Sequence, residues 1–323
     1  MGYLNDLNSA SDIARAFVYG DGIHQCPDCG AKLVLAPKEH LMNGVVCSLC
    51  KKAFTWKRWT QLGEKWQWED NNTGLICFSG DEIDVEIPHH CTRICGQAFS
   101  NSNAVNVRVP DSVAVIEPFA FANNEHLKTV QLPAGLQRIE EGTFLECGKL
   151  TEVCIPETVK YIGKNAFAGC TSLKEVNIPE GVLVIGEGAF AGSGVNEIFL
   201  PSVKVVAENA FSACGSLRTA AVGAMEIGDR AFADCTNLRT VKLMDGIVAI
   251  GAQSFFNCSS LEHLRIPASI SGFGNQAFAR IPGLSVSVPK ALEEHIYNYF
   301  ACAPAYEEDD YNVFEESAEL HYY

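Results

Sequence analysis

The sequence is short of basic residues and of segments that would direct a chain into a membrane. Its 24 Lys and Arg are outnumbered by 39 Asp and Glu, so the formal net charge is −15. This charge disfavours nucleic acid or an anionic membrane as a partner of the whole molecule. The first twenty residues lack a signal peptide's basic and apolar regions, and no apolar run approaches the roughly 18 residues of a membrane span. We expect a cytoplasmic protein, or a cell-surface protein if the sequence has been trimmed.

Motifs that support catalysis are also missing. The sequence contains no Gly-rich phosphate-binding loop, no H-E-x-x-H and no G-x-S-x-G. Paired carboxylates such as Glu140 and Glu141 fall in expected turns, where a solvated role is more common than acid–base chemistry. We therefore expect a protein that is not an enzyme, with no catalytic and no cofactor-binding residues beyond a metal site.

What the sequence does contain is a repeat. A phenylalanine recurs at intervals of 21 to 23 residues, and an apolar residue precedes each one by five positions. A period of this length, with the same positions apolar each time, is typical of a solenoid whose units bury their apolar faces only by stacking. The recurring residues are Phe99, Phe121, Phe144, Phe167, Phe190, Phe211, Phe232, Phe255 and Phe278.

The clearest unit, residues 160–182, predicts the structure of one coil. Its segment LKEVNI alternates apolar and polar residues, which predicts a half-buried strand that ends at Pro179. The stretch IGKNAFAGC is too short for a helix and predicts tight turns or a single 3₁₀ turn, with Phe167 and Cys170 pointing inward. Five cysteines lie three residues after a repeat Phe, which indicates buried thiols and favours a reducing compartment.

The consensus I-G-x-x-A-F-x-x-C-x-x-L-x-x-V-x-I-P closely resembles the BspA-like leucine-rich-repeat family over residues 92–292. The resemblance implies a leucine-rich-repeat solenoid, a β-rich right-handed coil with a parallel sheet on one face. It implies binding of host or matrix proteins, as in surface members of the family, and it supplies no catalytic residues. This chain departs from the consensus at Ser193, which replaces the repeat Cys, and around residues 190–224, where two units are shortened.

The remaining segments predict caps and flanking units. Residues 63–91 predict a β-hairpin cap with Leu75, Cys77 and Ile87 inward, and KALEEHIYNYF after Pro289 predicts a capping helix. The predicted organisation is an N-terminal segment (1–23), a zinc ribbon (24–62), the hairpin cap (63–91), nine repeats (92–289), the capping helix (290–304) and an acidic tail (305–323). We expect the tail to be solvated, with a docking peptide as the alternative.

Two C-x-x-C pairs near the N-terminus predict a metal site. Cys26, Cys29, Cys47 and Cys50 can surround one Zn²⁺ tetrahedrally, and residues 32–35, 45–46 and 54 onward predict the strands of a zinc ribbon. Four thiolates leave no ligand position for water, so the zinc is expected to be structural. Disulfides and an iron–sulfur cluster remain alternatives, since spacing alone does not exclude them.

Residues 24–66 carry seven basic and three acidic residues, interleaved with tryptophans. This pattern can bind single-stranded nucleic acid through phosphate contacts and stacking. A zinc held by four thiolates contributes −2, however, which reduces the local charge from +4 to about +2. We favour tryptophans that pack the ribbon onto the solenoid, and we expect nucleic-acid binding to be unlikely.

The outward side chains of the predicted sheet are the candidate partner-binding surface. They combine an acidic strip with an apolar spot, where an exposed Phe could anchor a protein partner of unknown identity. We favour a non-enzymatic protein-interaction scaffold; a cell-surface adhesin and a nucleic-acid-associated ribbon are the alternatives. The candidate residues are Glu152, Glu175, Asn177, Glu197, Phe199 and Ala221.

Overall fold

A computed structural model describes residues 66–69, 73–100, 102–293, 313–314 and 318–323, together with the backbone of four short strands between residues 24 and 54. These four strands form an antiparallel sheet in which each pairs with the next along the chain. They are β1 (His24–Gln25), β2 (Lys32–Val34), β3 (Val45–Cys47) and β4 (Ala53–Phe54). Three of them, β2, β3 and β4, overlap the strands predicted at residues 32–35, 45–46 and 54 onward.

The rest of the described chain is a solenoid of very short strands. They are β5 (Trp66–Trp68), β6 (Gly74–Phe78), β7 (Asp84–Glu86), β8 (Arg93–Ile94), β9 (Asn106–Arg108), β10 (Val115–Ile116), β11 (Thr129–Gln131), β12 (Arg138–Ile139), β13 (Glu152–Cys154), β14 (Tyr161–Ile162), β15 (Val184–Ile185), β16 (Glu197–Leu200), β17 (Val205–Val206), β18 (Thr219–Val222), β19 (Glu226–Ile227), β20 (Thr240–Leu243), β21 (Ala249–Ile250), β22 (His263–Arg265), β23 (Gly272–Phe273), β24 (Ser285–Val288) and β25 (Glu319–Tyr322).

Each regular coil contributes two strands, one to each of two walls. The first wall holds the longer strands, in the orders β7-β9-β11-β13 and β16-β18-β20-β22-β24-β25. The second wall holds the two-residue strands, in one sheet of seven from β12 to β23 and another that joins β10, β8, β6 and β5. All pairs in these sheets are parallel except β5 with β6. The expected parallel sheet on one face is present as the first wall, whereas the second wall was not predicted. It forms because the apolar residue five positions before each repeat Phe also lies in a strand that pairs from coil to coil.

The interior is filled by a continuous stack of phenylalanine rings. All nine repeat phenylalanines are fully buried, which confirms the core predicted from their spacing. Adjacent rings stack with centroids 4.8–5.3 Å apart and planes tilted by 5–25°. Phe78 and Phe314, which are not among the nine predicted repeat phenylalanines, extend the stack by one ring at each end.

Tight turns present each ring to the core, as the sequence predicted. The residue two positions before the repeat Phe has positive φ in every coil, and so has the described residue two positions after it; around Phe167 these are Asn165 (φ 51°) and Gly169 (φ 72°). The glycine of each I-G pair serves a different purpose. A Cβ on Gly163 would lie within 2.9 Å of backbone atoms of the preceding coil, so this position sets how closely the coils stack.

The longer-strand wall is interrupted at residues 174–178. Glu175, Val176 and Asn177 belong to no strand, and Val176 is only partly buried. The next coil is one residue shorter at this point: Ser193-Gly194-Val195 replaces the four-residue Cys-Thr-Ser-Leu of its neighbour. A side chain at Gly194 would collide with the carbonyl oxygen of Thr171, so the short turn crowds the preceding coil. The strand predicted in LKEVNI is therefore absent, and the wall divides into a four-stranded and a six-stranded sheet.

The C-terminal residues differ from the expected solvated tail. Residues of β25 pair in register with β24, and Phe314 stacks on Phe278, so this segment forms a closing coil. The Tyr323 hydroxyl donates to the Ile266 carbonyl at 3.0 Å, and its ring lies under the Arg265 guanidinium. Burial of Phe314 and pairing along the sheet edge account for the ordered end. A 3₁₀ turn at Lys290–Leu292 lies at the start of the segment predicted to form a capping helix, and residues 294–304 of that segment lie outside the described residues.

At the other end, β5 and β6 form an antiparallel hairpin that leads into the solenoid. Leu75 and Ile87 are fully buried, as predicted, whereas Cys77 is only partly buried. Strand β6 also pairs in parallel with β8. The hairpin is thus continuous with the second wall, rather than a separate cover over the end of the sheet.

Candidate functional site

The outer face of the longer-strand wall carries the candidate partner-binding residues. In β16, Ile198 and Leu200 point into the core, while Glu197 and Phe199 point outward. The same alternation turns Glu152 outward in β13. Because the strands pair without slipping, the outward residues of successive coils form columns across the sheet.

Phe199 is the most prominent apolar side chain on this face. It exposes 58% of its surface, although it lies on a strand that is anchored by two buried residues. Its Cα partner on β18 is Ala221, whose small side chain leaves the ring uncovered from that side, and Lys242 follows on β20. The ring is consequently presented on a rigid support, beside the carboxylate of Glu197.

The predicted acidic strip is not continuous. Glu152 lies in the four-stranded sheet and Glu197 in the six-stranded sheet, while Glu175 and Asn177 are exposed in the interruption between them. The structure therefore keeps Glu197, Phe199 and Ala221 together on one sheet and separates them from Glu152. The repeat pattern did not predict this division, although the shortened units around residues 190–224 follow it directly.

A second feature of the face was missed in the sequence. The outer side of the four-stranded sheet forms a groove of about 920 Å³. Its first strand, β7, belongs to the stretch IDVEIP, which has the same plan as LTEVCIP and LKEVNIP further along the chain. That likeness identifies β7 as a coil strand, whereas the predicted hairpin cap (63–91) includes this segment.

Three of the buried repeat thiols, those of Cys147, Cys170 and Cys258, are not reactive nucleophiles. Cys147 and Cys258 each donate to the carbonyl of a repeat Phe, at 3.1 and 3.2 Å. Burial raises the pKa of both thiols to about 12, so they stay protonated at neutral pH. Cys170 is also fully buried, and burial raises the pKa of its thiol well above the ordinary value. These groups act as hydrogen-bonded core residues, consistent with the interpretation of the repeat cysteines as packing elements.

The predicted metal site lies mostly outside the described residues. Cys26, Cys29 and Cys50 fall outside them, and only the backbone of Cys47, at the end of β3, is described. Within the part of the chain that the structure describes, no group of three or more His, Cys, Asp or Glu residues could hold a metal ion. The same part of the chain contains no helix of sufficient length and apolar character to span a membrane.

Comparisons with known proteins agree with this geometry. The family model for the BspA type leucine-rich repeat region matches residues 92–218 and 208–307, about two thirds of the chain. No curated protein is significantly similar in sequence.

Solved structures of other leucine-rich repeat proteins resemble parts of the chain. A leucine-rich repeat protein of T. pallidum is 26% identical, with a TM-score of 0.48 over 54% of this chain and 86% of that one. One from Bacteroides ovatus is 20% identical, with a TM-score of 0.39 over 80% and 97%. A leucine-rich cell surface protein from Faecalibacterium prausnitzii is 20% identical, with a TM-score of 0.35 over 69% and 86%. Because all three TM-scores lie below 0.5, the assignment of a family rests on the repeat match.

Proposed function

Since the chain belongs to the family of proteins with BspA type leucine-rich repeats, we propose that it is a non-enzymatic protein-interaction scaffold. In this proposal, a partner protein docks on the outer face of the six-stranded sheet. The observation that carries it is Phe199, an aromatic ring that is 58% exposed on a strand fixed in the core. Such a ring loses little conformational entropy when a partner covers it, because its support is already ordered.

The surroundings of Phe199 favour a protein over a small molecule. The neighbouring Ala221 leaves an open platform beside the ring, and Glu197 and Lys242 supply charges of both signs at its border. An apolar centre with a polar rim is the usual arrangement of a protein interface. We propose that these residues form the centre of the contact.

The test compares proteins captured by three immobilised baits: the wild type, Phe199→Ala and Met225→Ala. Met225 is the matched control, since it is 55% exposed but lies ahead of a strand in the second wall. Proteins retained by the wild type and by Met225→Ala, but lost from Phe199→Ala, would support the proposal. Equal retention by all three baits would contradict it. Running the capture from a cell lysate and from an extracellular-matrix extract separates an intracellular scaffold from a surface adhesin.

We also propose that Cys26, Cys29, Cys47 and Cys50 hold a structural Zn²⁺. The support comes from strand direction in the N-terminal sheet. Successive antiparallel strands alternate in direction, so the connections from β1 to β2 and from β3 to β4 lie at the same end of the sheet. The first connection contains Cys26 and Cys29, and the second follows Cys47 and contains Cys50. Four thiolates would close the coordination sphere, so the ion would stabilise the fold rather than activate water.

Elemental analysis of the purified full chain tests the metal proposal. We expect about one zinc per chain in the wild type and in Cys154→Ser, whose thiol is exposed on the solenoid, and none in Cys47→Ser. Hydrogen exchange should accelerate in residues 24–54 of Cys47→Ser while the solenoid amides stay protected. Zinc-free wild type, or unchanged exchange after chelation, would contradict the site.

A further inference from the structure

The four-stranded sheet presents a groove that is separate from the Phe199 surface. Its floor consists of the outward residues of β7, β9, β11 and β13, and its volume is about 920 Å³. The interruption at residues 174–178 divides it from the six-stranded sheet that carries Phe199. A partner segment could therefore occupy the groove without covering Phe199.

The groove is acidic at both ends. Asp84 and Glu86 line it on the first strand, and Glu152 and Glu157 line it at the fourth, against a single basic residue, Arg108. Four negative charges and one positive charge give a net charge of −3. None of these four carboxylates forms an ion pair with another residue in the described part of the chain.

Strand register fixes the distance between the two acidic ends. Asp84 pairs with Asn106, Asn106 with Thr129, and Thr129 with Glu152, so one column joins the two carboxylates across three strand spacings. At about 4.8 Å per spacing, the Cα atoms at the two ends lie roughly 14 Å apart. Four residues of an extended chain cover about the same distance, and residues i and i+4 of such a chain point to the same side.

The middle of the column is polar and hydrogen-bonded within itself. The Asn106 amide donates to Asp84 at 2.7 Å, and the Thr129 hydroxyl donates to Asn106 at 2.7 Å. This chain of bonds orders the floor before any partner arrives. The exposed side chain of Gln131, two residues after Thr129 on β11, can bond to the backbone of a segment laid across the strands.

We propose that this groove binds an extended, basic segment of a partner protein, with two Lys or Arg side chains four residues apart directed at Asp84 and Glu152. This inference rests on the proposed scaffold function and specifies the chemistry of one partner contact. The negative groove repels nucleic acid, which leaves a polypeptide as the polymer that can bring regularly spaced positive charges.

The test measures binding of a fluorescein-labelled peptide, Gly-Thr-Lys-Val-Thr-Val-Lys-Thr-Gly, by fluorescence anisotropy at low ionic strength with the full-length protein. We expect Asp84→Asn combined with Glu152→Gln to weaken binding about tenfold, because two charge contacts are lost. A scrambled peptide with adjacent lysines should bind several-fold more weakly to the wild type. Arg108→Gln should strengthen binding, since it removes the one opposing charge.

A matched control distinguishes site binding from general attraction to an acidic protein. Glu226→Gln combined with Glu262→Gln removes the same charge from exposed positions outside the groove, and it should leave the affinity unchanged. Equal weakening by both double variants would overturn the proposal. A peptide affinity that does not depend on the lysine spacing would also overturn it. Peptide binding that is lost because the protein self-associates would overturn it as well.

The outcome can be separated from that of the proposed function. Phe199→Ala should leave peptide affinity unchanged, because the ring lies on the other sheet. If Phe199→Ala abolishes partner capture but the groove variants do not change the peptide affinity, only the groove proposal would be overturned. Groove-dependent peptide binding without any Phe199-dependent partner would support the groove and contradict the Phe199 surface.

Discussion

Phe167 and Phe199 are residues of the same type in opposite environments of one solenoid. Phe167 is fully buried between two parallel rings, with centroids 5.2 and 5.0 Å away, whereas Phe199 leaves 58% of its surface in solvent. The first belongs to a column that keeps phenylalanine in nine successive coils. The second belongs to a column in which nearly every coil has a different residue, among them Gln131, Lys242 and Arg265.

The difference shows which positions the fold constrains. Every inner column must fill the same gap between coils, so one side chain satisfies each of its positions. The side chains of an outer column fill no such gap, because the strands pair through backbone hydrogen bonds. Variation there costs the fold little and leaves the surface available for recognition.

The largest expected effect is the loss of one ring from the stack. Phe167→Ala should lower the free energy of unfolding by roughly 3–5 kcal/mol, since it removes a fully buried ring and leaves a cavity between Phe144 and Phe190. Urea unfolding followed by circular dichroism measures the change. A loss below about 1 kcal/mol would mean that the stack does not stabilise the solenoid.

The regular spacing of nine phenylalanines made most of the inner stack predictable from the sequence. The rings at its two ends, Phe78 and Phe314, were not predicted. Phe78 precedes Phe99 by 21 residues, within the repeat period, but the residue five positions before it is Thr73 rather than an aliphatic. Phe314 lies 36 residues after Phe278, so no period points to it. Long-range closure of the end coil brings it onto the stack.

The sheets were predicted less well, for two physical reasons. A two-residue strand such as Tyr161–Ile162 is too short to show alternation, so the second wall left no readable pattern. The interruption at residues 174–178 lies in a segment whose own sequence is regular. The following coil meets it with a shorter turn, in which a Cβ at Gly194 would collide with the Thr171 carbonyl oxygen, so the pattern depends on the fit between two coils rather than on one segment.

These failures bear on the candidate site. Exposed residues such as Phe199 and Glu152 were predictable by alternation within a strand. Their division between two sheets was not, since it depends on how adjacent coils fit together. The groove over the four-stranded sheet was missed for the same reason, because residues of four successive coils line it and no single motif indicates it.

A smaller effect is expected from Asn124, one of the polar residues that occupy the position of the repeat cysteine. Asn124 is fully buried three residues after Phe121; its amide donates to the Phe99 carbonyl and to Ser102, and its oxygen accepts from the amides of His126 and Leu127. Asn124→Ala should cost about 2 kcal/mol, because buried backbone groups lose their partners.

The matched variant Asn124→Cys sharpens the comparison between coils. Its thiol can donate to the Phe99 carbonyl, as Cys147 does to the Phe121 carbonyl at 3.1 Å. We expect it to recover part of the stability lost in Asn124→Ala, measured by the same urea unfolding. Equal losses for the two variants would mean that the hydrogen bond to the Phe carbonyl contributes nothing at this position.

The smallest expected effect belongs to the outer face, and it completes the comparison. Phe199→Ala makes the same chemical change as Phe167→Ala, but it removes a ring that is more than half exposed, so no enclosed cavity forms. The free energy of unfolding should change by no more than about 0.5 kcal/mol, as for other surface substitutions. Loss of partner capture with stability unchanged would locate the function of this residue in recognition. Destabilisation comparable to that of Phe167→Ala would instead make Phe199 part of the core and remove the basis for a docking surface there.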